Sequence, residues 1–140
     1  PLREVTSGQS DSDFFIPGTL LHLKVDHGHP LGYGMPEETT AFFSRSPAFA
    51  LGRPVNPRVR RVSGAPEPPS SVRAVATYPT AGLLKSGWLL GEHVLSGRAA
   101  VVEADVEAGR VVLLGFRTQH RGQPHATFKL LFNALYRGGM

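Results

Sequence analysis

Apolar and polar residues alternate along several short segments of the chain, which is typical of β-strands with one buried face. Residues 19–26 show the pattern clearly, because their apolar face consists of Leu21, Leu23 and Val25. Residues 72–78 alternate in the same way, and residues 39–43 and 48–51 are apolar enough for two short strands. Residues 81–96 predict only short strands or turns, since glycines interrupt their leucines.

The last third of the chain has the clearest pattern. Residues 100–107 alternate between an apolar and a largely acidic face, and residues 111–116 are an unbroken apolar run. This predicts a β-hairpin in which 100–107 lies at the side of the sheet and 111–116 is a central strand buried on both faces. Four apolar side chains then recur at helical spacing: Phe128, Leu131, Phe132 and Leu135. The pattern therefore predicts an α/β fold with a late hairpin and a C-terminal helix.

The domain organisation follows from length and composition. A chain of 140 residues fits one domain, and its 16 glycines and 12 prolines predict many turns. We expect a flexible lead-in at residues 1–13, a single domain at residues 14–140, and a long loop at residues 52–71. Because the chain begins with Pro1 and shows no signal-peptide pattern, we expect it to be a processed or excised piece of a longer protein.

Composition and charge exclude several classes of function. With no cysteine, the chain has no disulfide, thiolate nucleophile or cysteine metal site. No apolar run approaches the roughly 20 residues that cross a membrane, so we expect no membrane contact. The net charge is +4, and the densest basic cluster is Arg58, Arg60 and Arg61. That cluster has no interleaved aromatic residues, so we expect a solvated loop and no nucleic-acid partner.

Residues 117–125, between the predicted central strand and the helix, carry most of the candidate chemistry. Ligands of open α/β sheets collect where loops lead from strand ends to helix N-termini. Five side chains of this segment predict a pocket for an anion or carboxylate: Arg117, Gln119, His120, Arg121 and His125. His120 is also a candidate general acid or base. The alternative is a polar turn that only leads into the helix.

A second candidate site lies at residues 26–29. Asp26, His27 and His29 offer a carboxylate and two imidazoles, which a zinc or other divalent ion prefers as ligands. Histidines two positions apart in a Gly-Pro turn match no standard zinc spacing, so local hydrogen bonds are the stronger interpretation. On the acidic face of the predicted hairpin, Asp105 and Glu107 are interpreted as solvated side chains and not as a catalytic pair.

Five segments of the chain carry a resemblance to a known family: residues 29–36 (HPLGYGMP), 86–92 (SGWLLGE), 109–117 (GRVVLLGFR), 119–123 (QHRGQ) and 127–135 (TFKLLFNAL). Together they resemble the C-terminal region of large bacterial zinc carboxypeptidase-like proteins. There a peptidase domain is followed by a class I glutamine amidotransferase-like, flavodoxin-like domain. The resemblance covers nearly all of residues 14–137.

The resemblance implies a partial three-layer, amidotransferase-like sheet. It places zinc in the upstream peptidase domain of the parent protein, so no cofactor is expected in this chain. It also implies that this peptidase domain is a partner and that the protein is periplasmic or secreted. Class I amidotransferases use a cysteine with a histidine and a glutamate after the late hairpin. His120 matches that histidine, but the chain has no cysteine, and Arg121 and Gly122 stand where a Pro-Glu pair is expected.

Two functions follow as expectations. The first is a non-catalytic accessory, scaffold or ligand-binding domain of a zinc carboxypeptidase-like protein. The alternative is a small-ligand hydrolase or binding enzyme that uses His120 with Arg117 or Arg121. An exposed sheet edge would also allow a homodimer.

Overall fold

The structure is a computed structural model that describes residues 2–52 and 72–138. Within these ranges eight strands form one sheet: β1 (Leu2–Glu4), β2 (Thr19–Val25), β3 (Glu38–Phe43), β4 (Phe49–Leu51), β5 (Val72–Thr77), β6 (Leu84–Ser86), β7 (Ala99–Val106) and β8 (Gly109–Leu114). Two α-helices accompany them: α1 (Glu92–Leu95) and α2 (His125–Gly138). Two 3-10 turns lie at Pro30–Gly32 and His120–Gly122.

The strands of the sheet follow the order β1-β4-β7-β5-β2-β3, while β6 pairs with β2 and β8 pairs with β7. Each of these pairings is antiparallel. The predicted α/β class, late hairpin and C-terminal helix are confirmed. The strands predicted at 19–26, 39–43, 48–51 and 72–78 are present as β2, β3, β4 and β5. Residues 81–96 contain the short strand β6 and the single helical turn α1.

The two hairpin strands have positions opposite to those predicted. β7, predicted at the side of the sheet, pairs with β5 along one edge and with β8 along the other. Residues 99–103 of β7 are buried, whereas Val111 of β8, predicted to lie in a central strand, is 41% exposed. The prediction was wrong because long-range pairing with β5 decides which strand is central, and local alternation carries no information about that pairing.

The main apolar core contains inward-facing side chains of β2, β3, β5 and β7 together with Leu130 of α2. Tyr78 packs edge-to-face against Phe43, with ring centroids 6.1 Å apart. Burial raises the pKa of Tyr78, and its hydroxyl has no hydrogen-bond partner within the described residues. α2 lies against the 3-10 turn at Pro30–Gly32 and against β3. The helix therefore holds the loop of residues 26–36 against the sheet.

The sequence predicted irregular structure at residues 1–13 and 52–71, and the structure describes the first of these segments but little of the second. Within the predicted flexible lead-in, residues Leu2–Glu4 form β1 and pair with β4. The predicted loop at 52–71 lies, apart from Gly52, outside the described residues, and so does the basic cluster Arg58, Arg60 and Arg61. None of the helices in the described ranges has the length and apolar character needed to cross a membrane.

Candidate functional site

The segment of residues 117–125 connects β8 to α2 along the outer side of β3. The Arg117 N–H donates to the Phe42 carbonyl over 3.3 Å, which places the segment beside the strand. The Thr127 hydroxyl, in the first turn of α2, donates to the Thr118 carbonyl over 2.8 Å. Arg121 adopts a left-handed backbone with φ 49°, which turns the chain before the helix begins. These contacts hold the segment in a defined conformation.

A cleft of about 510 Å³ lies between β2, β3 and the start of α2. We call it the His120 cleft, and its lining includes Leu20, Thr40, Phe42, His120, Gln123 and His125. The His120 ring stacks on the Phe42 ring, with centroids 3.8 Å apart and planes inclined by 11°. Leu20 and Phe42 are register partners on β2 and β3, so they extend the apolar wall of the cleft.

The structure brings together part of the predicted anion site. His120 and His125 both line the cleft, whereas Gln119 is exposed and accepts a hydrogen bond from the Thr118 hydroxyl over 3.0 Å. Arg117 and Arg121 are exposed beside the cleft and do not line it. Sequence reasoning missed the β2–β3 wall, because nothing local to β3 indicates that residues 117–125 will lie on it.

The electrostatics of the cleft favour negative charge. Burial lowers the pKa of His120, and the positive charges of Arg121 and Arg117 lower it further. The imidazole is therefore neutral at pH 7 and can accept or donate a hydrogen bond. The two arginines and the N-terminal end of the 14-residue α2 all favour an anion nearby. The cleft thus combines a ring-stacking wall with a positive rim.

The second predicted set, Asp26, His27 and His29, does not converge on one point. Asp26 accepts a hydrogen bond from the Gly28 N–H over 3.1 Å, and His27 is exposed. His29 is buried, and its Nδ1 accepts from the Leu31 N–H over 3.2 Å. Across residues 2–52 and 72–138, no group of three His, Asp or Glu side chains is arranged to hold a metal ion.

His29 instead belongs to a buried ion cluster around Glu103, which is 4% exposed. Arg137 donates to Glu103 from Nε over 2.5 Å and from Nη2 over 3.4 Å. Arg110 Nε lies 3.4 Å from the same carboxylate. His29 Nε2 lies 3.2 Å from Glu103 Oε2, although without the directional geometry of a hydrogen bond. Burial raises the pKa of Glu103, but Arg137, His29 and Arg110 outweigh burial and hold the pKa below its ordinary value.

The sequence pattern placed Glu103 on an acidic, solvated face, and the structure corrects this. α2 and the loop after β2 cover that part of the sheet, while Asp105, two positions on, remains exposed as predicted. The helix sequence carries a pattern that could have indicated this contact, because three polar side chains recur every four residues: Lys129, Asn133 and Arg137. All three contact protein groups, so this polar stripe is an interface and not a solvated face.

Comparisons of the chain with protein-family models, curated proteins and solved structures find no match. The fold defines a mixed α/β protein with an antiparallel sheet and a C-terminal helix. Because one fold supports many functions, this fold alone does not define the function of the protein.

Proposed function

We propose that this chain is a non-catalytic accessory domain that binds a carboxylate-bearing ligand in the His120 cleft. The observation that carries the proposal is the stack of His120 on Phe42, 3.8 Å apart, beside two exposed arginines. A ring or other flat apolar group of the ligand would pack on this wall. Its carboxylate would then face Arg117, Arg121 and the start of α2.

The resemblance described above supports a particular setting for this domain. We place it beside the peptidase domain of a periplasmic or secreted zinc carboxypeptidase-like protein, where the peptidase domain supplies the zinc and the hydrolysis. In this setting the sheet would be one part of a three-layer, amidotransferase-like domain. Substrates and products of a carboxypeptidase end in a carboxylate, which is the group that the positive rim of the cleft favours.

A titration with benzoate and its neutral analogue benzamide tests the ligand class. We expect benzoate to shift the amide NMR resonances of residues 39–42 and 117–126, and benzamide to bind more weakly because it lacks the charge. Arg121→Gln should weaken benzoate binding about fivefold, because a charge pair exposed to water contributes about 1 kcal/mol to binding. Arg3→Gln is the matched control, because β1 lies at the opposite edge of the sheet from β3. Equal affinities for benzoate and benzamide would contradict the proposal.

The accessory role has its own test. The isolated chain should release no C-terminal residue from a peptide when zinc is supplied, because its described histidines and carboxylates form no metal-binding group. Addition of a chelator should therefore leave the background rate unchanged. Zinc-dependent release by this chain alone would show that it is itself the peptidase.

The alternative, a small-ligand hydrolase, is favoured by the position of His120 in the lining of the cleft, where burial and the charges of Arg121 and Arg117 lower the pKa of the imidazole. A neutral imidazole at pH 7 can act as a general base on a bound water. Under this alternative the chain hydrolyses p-nitrophenyl acetate faster than buffer does, and His120→Ala removes the excess rate while the circular dichroism spectrum is retained. A rate that is identical with and without His120→Ala supports the non-catalytic domain instead.

A further inference from the structure

A second concave surface lies between the loop after β2 and the last two turns of α2. This groove of about 500 Å³ is lined by His27, His29, Pro30, Tyr33, Tyr136 and Arg137, among others, and we call it the tyrosine groove. Tyr33 on the loop is 78% exposed, and Tyr136 on the helix is 75% exposed. Each wall therefore presents an aromatic ring to solvent, and exposed aromatic rings are typical anchors of interaction sites.

The two walls of the groove are fixed relative to each other. Asn133 Nδ2 donates to the Leu31 carbonyl over 2.8 Å and to the Tyr33 carbonyl over 3.0 Å. The Lys129 ammonium donates to the Gly34 carbonyl on the same loop, and the Arg137 guanidinium donates to the Glu103 carboxylate. Because the loop is already ordered, a ligand that binds in this groove loses little loop entropy, and such preorganisation favours binding.

The floor of the groove offers one hydrogen-bond donor group, on Arg137, without a large net charge. The bonds to Glu103 use Nε and Nη2 of Arg137, and its Nη1 is without a partner among the described residues. His29 Nδ1 accepts a hydrogen bond from the protein, and its Nε2 is buried against Glu103, so this ring offers the ligand no donor. The charge of Glu103 balances that of Arg137, so the floor does not favour an anion. The groove therefore suits an uncharged ligand that mainly accepts hydrogen bonds.

We propose that the tyrosine groove binds an extended, proline-containing peptide segment. Proline has a carbonyl acceptor but no N–H, and the polyproline II backbone leaves its carbonyls free of internal hydrogen bonds. Prolyl rings dock in grooves lined by aromatic side chains, as Tyr33 and Tyr136 provide here. A neutral sugar fits less well, because its hydroxyls also donate and the carboxylate at the floor is already bonded to Arg137.

An NMR titration with a polyproline peptide of about ten residues tests this site. We expect saturable shifts of the amides at residues 27–34 and 133–138, and no comparable shifts with a Gly-Ser peptide of equal length. Tyr33→Ala and Tyr136→Ala should each weaken binding about fivefold to tenfold. Both side chains are largely exposed, so these variants keep the fold. Trp88→Ala is the matched control, since Trp88 is an exposed aromatic side chain that does not line the groove.

Three outcomes would overturn the proposal. The first is an absence of polyproline shifts at millimolar concentration, and the second is equal weakening by Trp88→Ala. The third is binding of a cello-oligosaccharide at the same amides without binding of polyproline, which would make the groove a carbohydrate site. Benzoate in the His120 cleft should not displace the peptide, so the two proposed sites can fail separately.

Discussion

Replacement of Glu103 by glutamine tests the energetic role of the buried ion cluster. Glu103→Gln keeps the size of the side chain and removes the negative charge that faces Arg137, Arg110 and His29. The Arg137 guanidinium, whose side chain is 22% exposed, then loses its only carboxylate partner among the described residues. We expect α2 to lose part of its attachment to the sheet and the free energy of unfolding to fall.

The expected loss follows from the exposure of each partner. Hydrogen bonds to charged groups contribute about 1.5–3 kcal/mol, and glutamine retains part of that contribution as a neutral acceptor. The Arg110 side chain is 40% exposed, so its pairing with Glu103 adds little. We therefore expect Glu103→Gln to reduce the free energy of unfolding by about 2 kcal/mol at pH 7. For a domain of this size, that loss lowers Tm by about 6–10 °C.

Urea unfolding followed by far-UV circular dichroism, repeated at several pH values, measures the loss. The cluster holds the pKa of Glu103 below its ordinary value in the folded chain. Its stabilisation is therefore present above the unfolded pKa of about 4.3 and is lost as the pH falls through the folded pKa. The difference between the wild-type chain and Glu103→Gln should be constant from neutral pH to about pH 5 and shrink in more acidic solution.

Asp105→Asn is the matched control for this experiment. Asp105 lies on the same strand, and its side chain is 52% exposed and pairs with Arg110 over 3.3 Å. Its replacement should change the free energy of unfolding by less than about 0.5 kcal/mol. The reasoning would be refuted if Glu103→Gln were as stable as the wild-type chain, or if its deficit persisted unchanged in acid.

Two further substitutions test the packing of the sheet. Gly115→Ala should lower the free energy of unfolding by about 1–3 kcal/mol, because the added carbon would lie 2.5 Å from the Pro47 carbonyl oxygen and 2.7 Å from that of Ala100. Gly138→Ala, where the added carbon meets nothing within 4 Å, serves as its control in the same urea titration. Tyr78→Phe should leave stability unchanged or raise it by up to about 1 kcal/mol, since its buried hydroxyl has no partner in the described ranges. A large decrease in Tm for Tyr78→Phe would contradict this reasoning, because it would show that the hydroxyl makes a hydrogen bond.

Local periodicity predicted most of the elements of this protein. Side-chain alternation predicted β2, β5 and β7, and helical spacing predicted α2. Short apolar runs predicted β3, β4 and β8. Such patterns identify an element by its period, because the period is set by backbone geometry, but they do not always identify its buried face. In α2 the predicted apolar face was wrong: Phe132 is 53% and Leu135 is 65% exposed, and Leu130 is buried instead. They do not say which strand pairs with which. That is why β7 and β8 were predicted in reversed positions.

The candidate sites also have one part that the sequence predicts and another that only the tertiary structure shows. The polar segment of residues 117–125 is visible in the sequence as a candidate site, and His120 and His125 do line one cleft. The Phe42 wall, the burial of Glu103 and the tyrosine groove join residues that lie far apart in the chain. An exposed and a buried glutamate can occupy the same position in an alternating strand. Only the tertiary structure, which lays α2 and the loop after β2 over the sheet, decides that Glu103 is buried and paired with Arg137 while Asp105 stays in water.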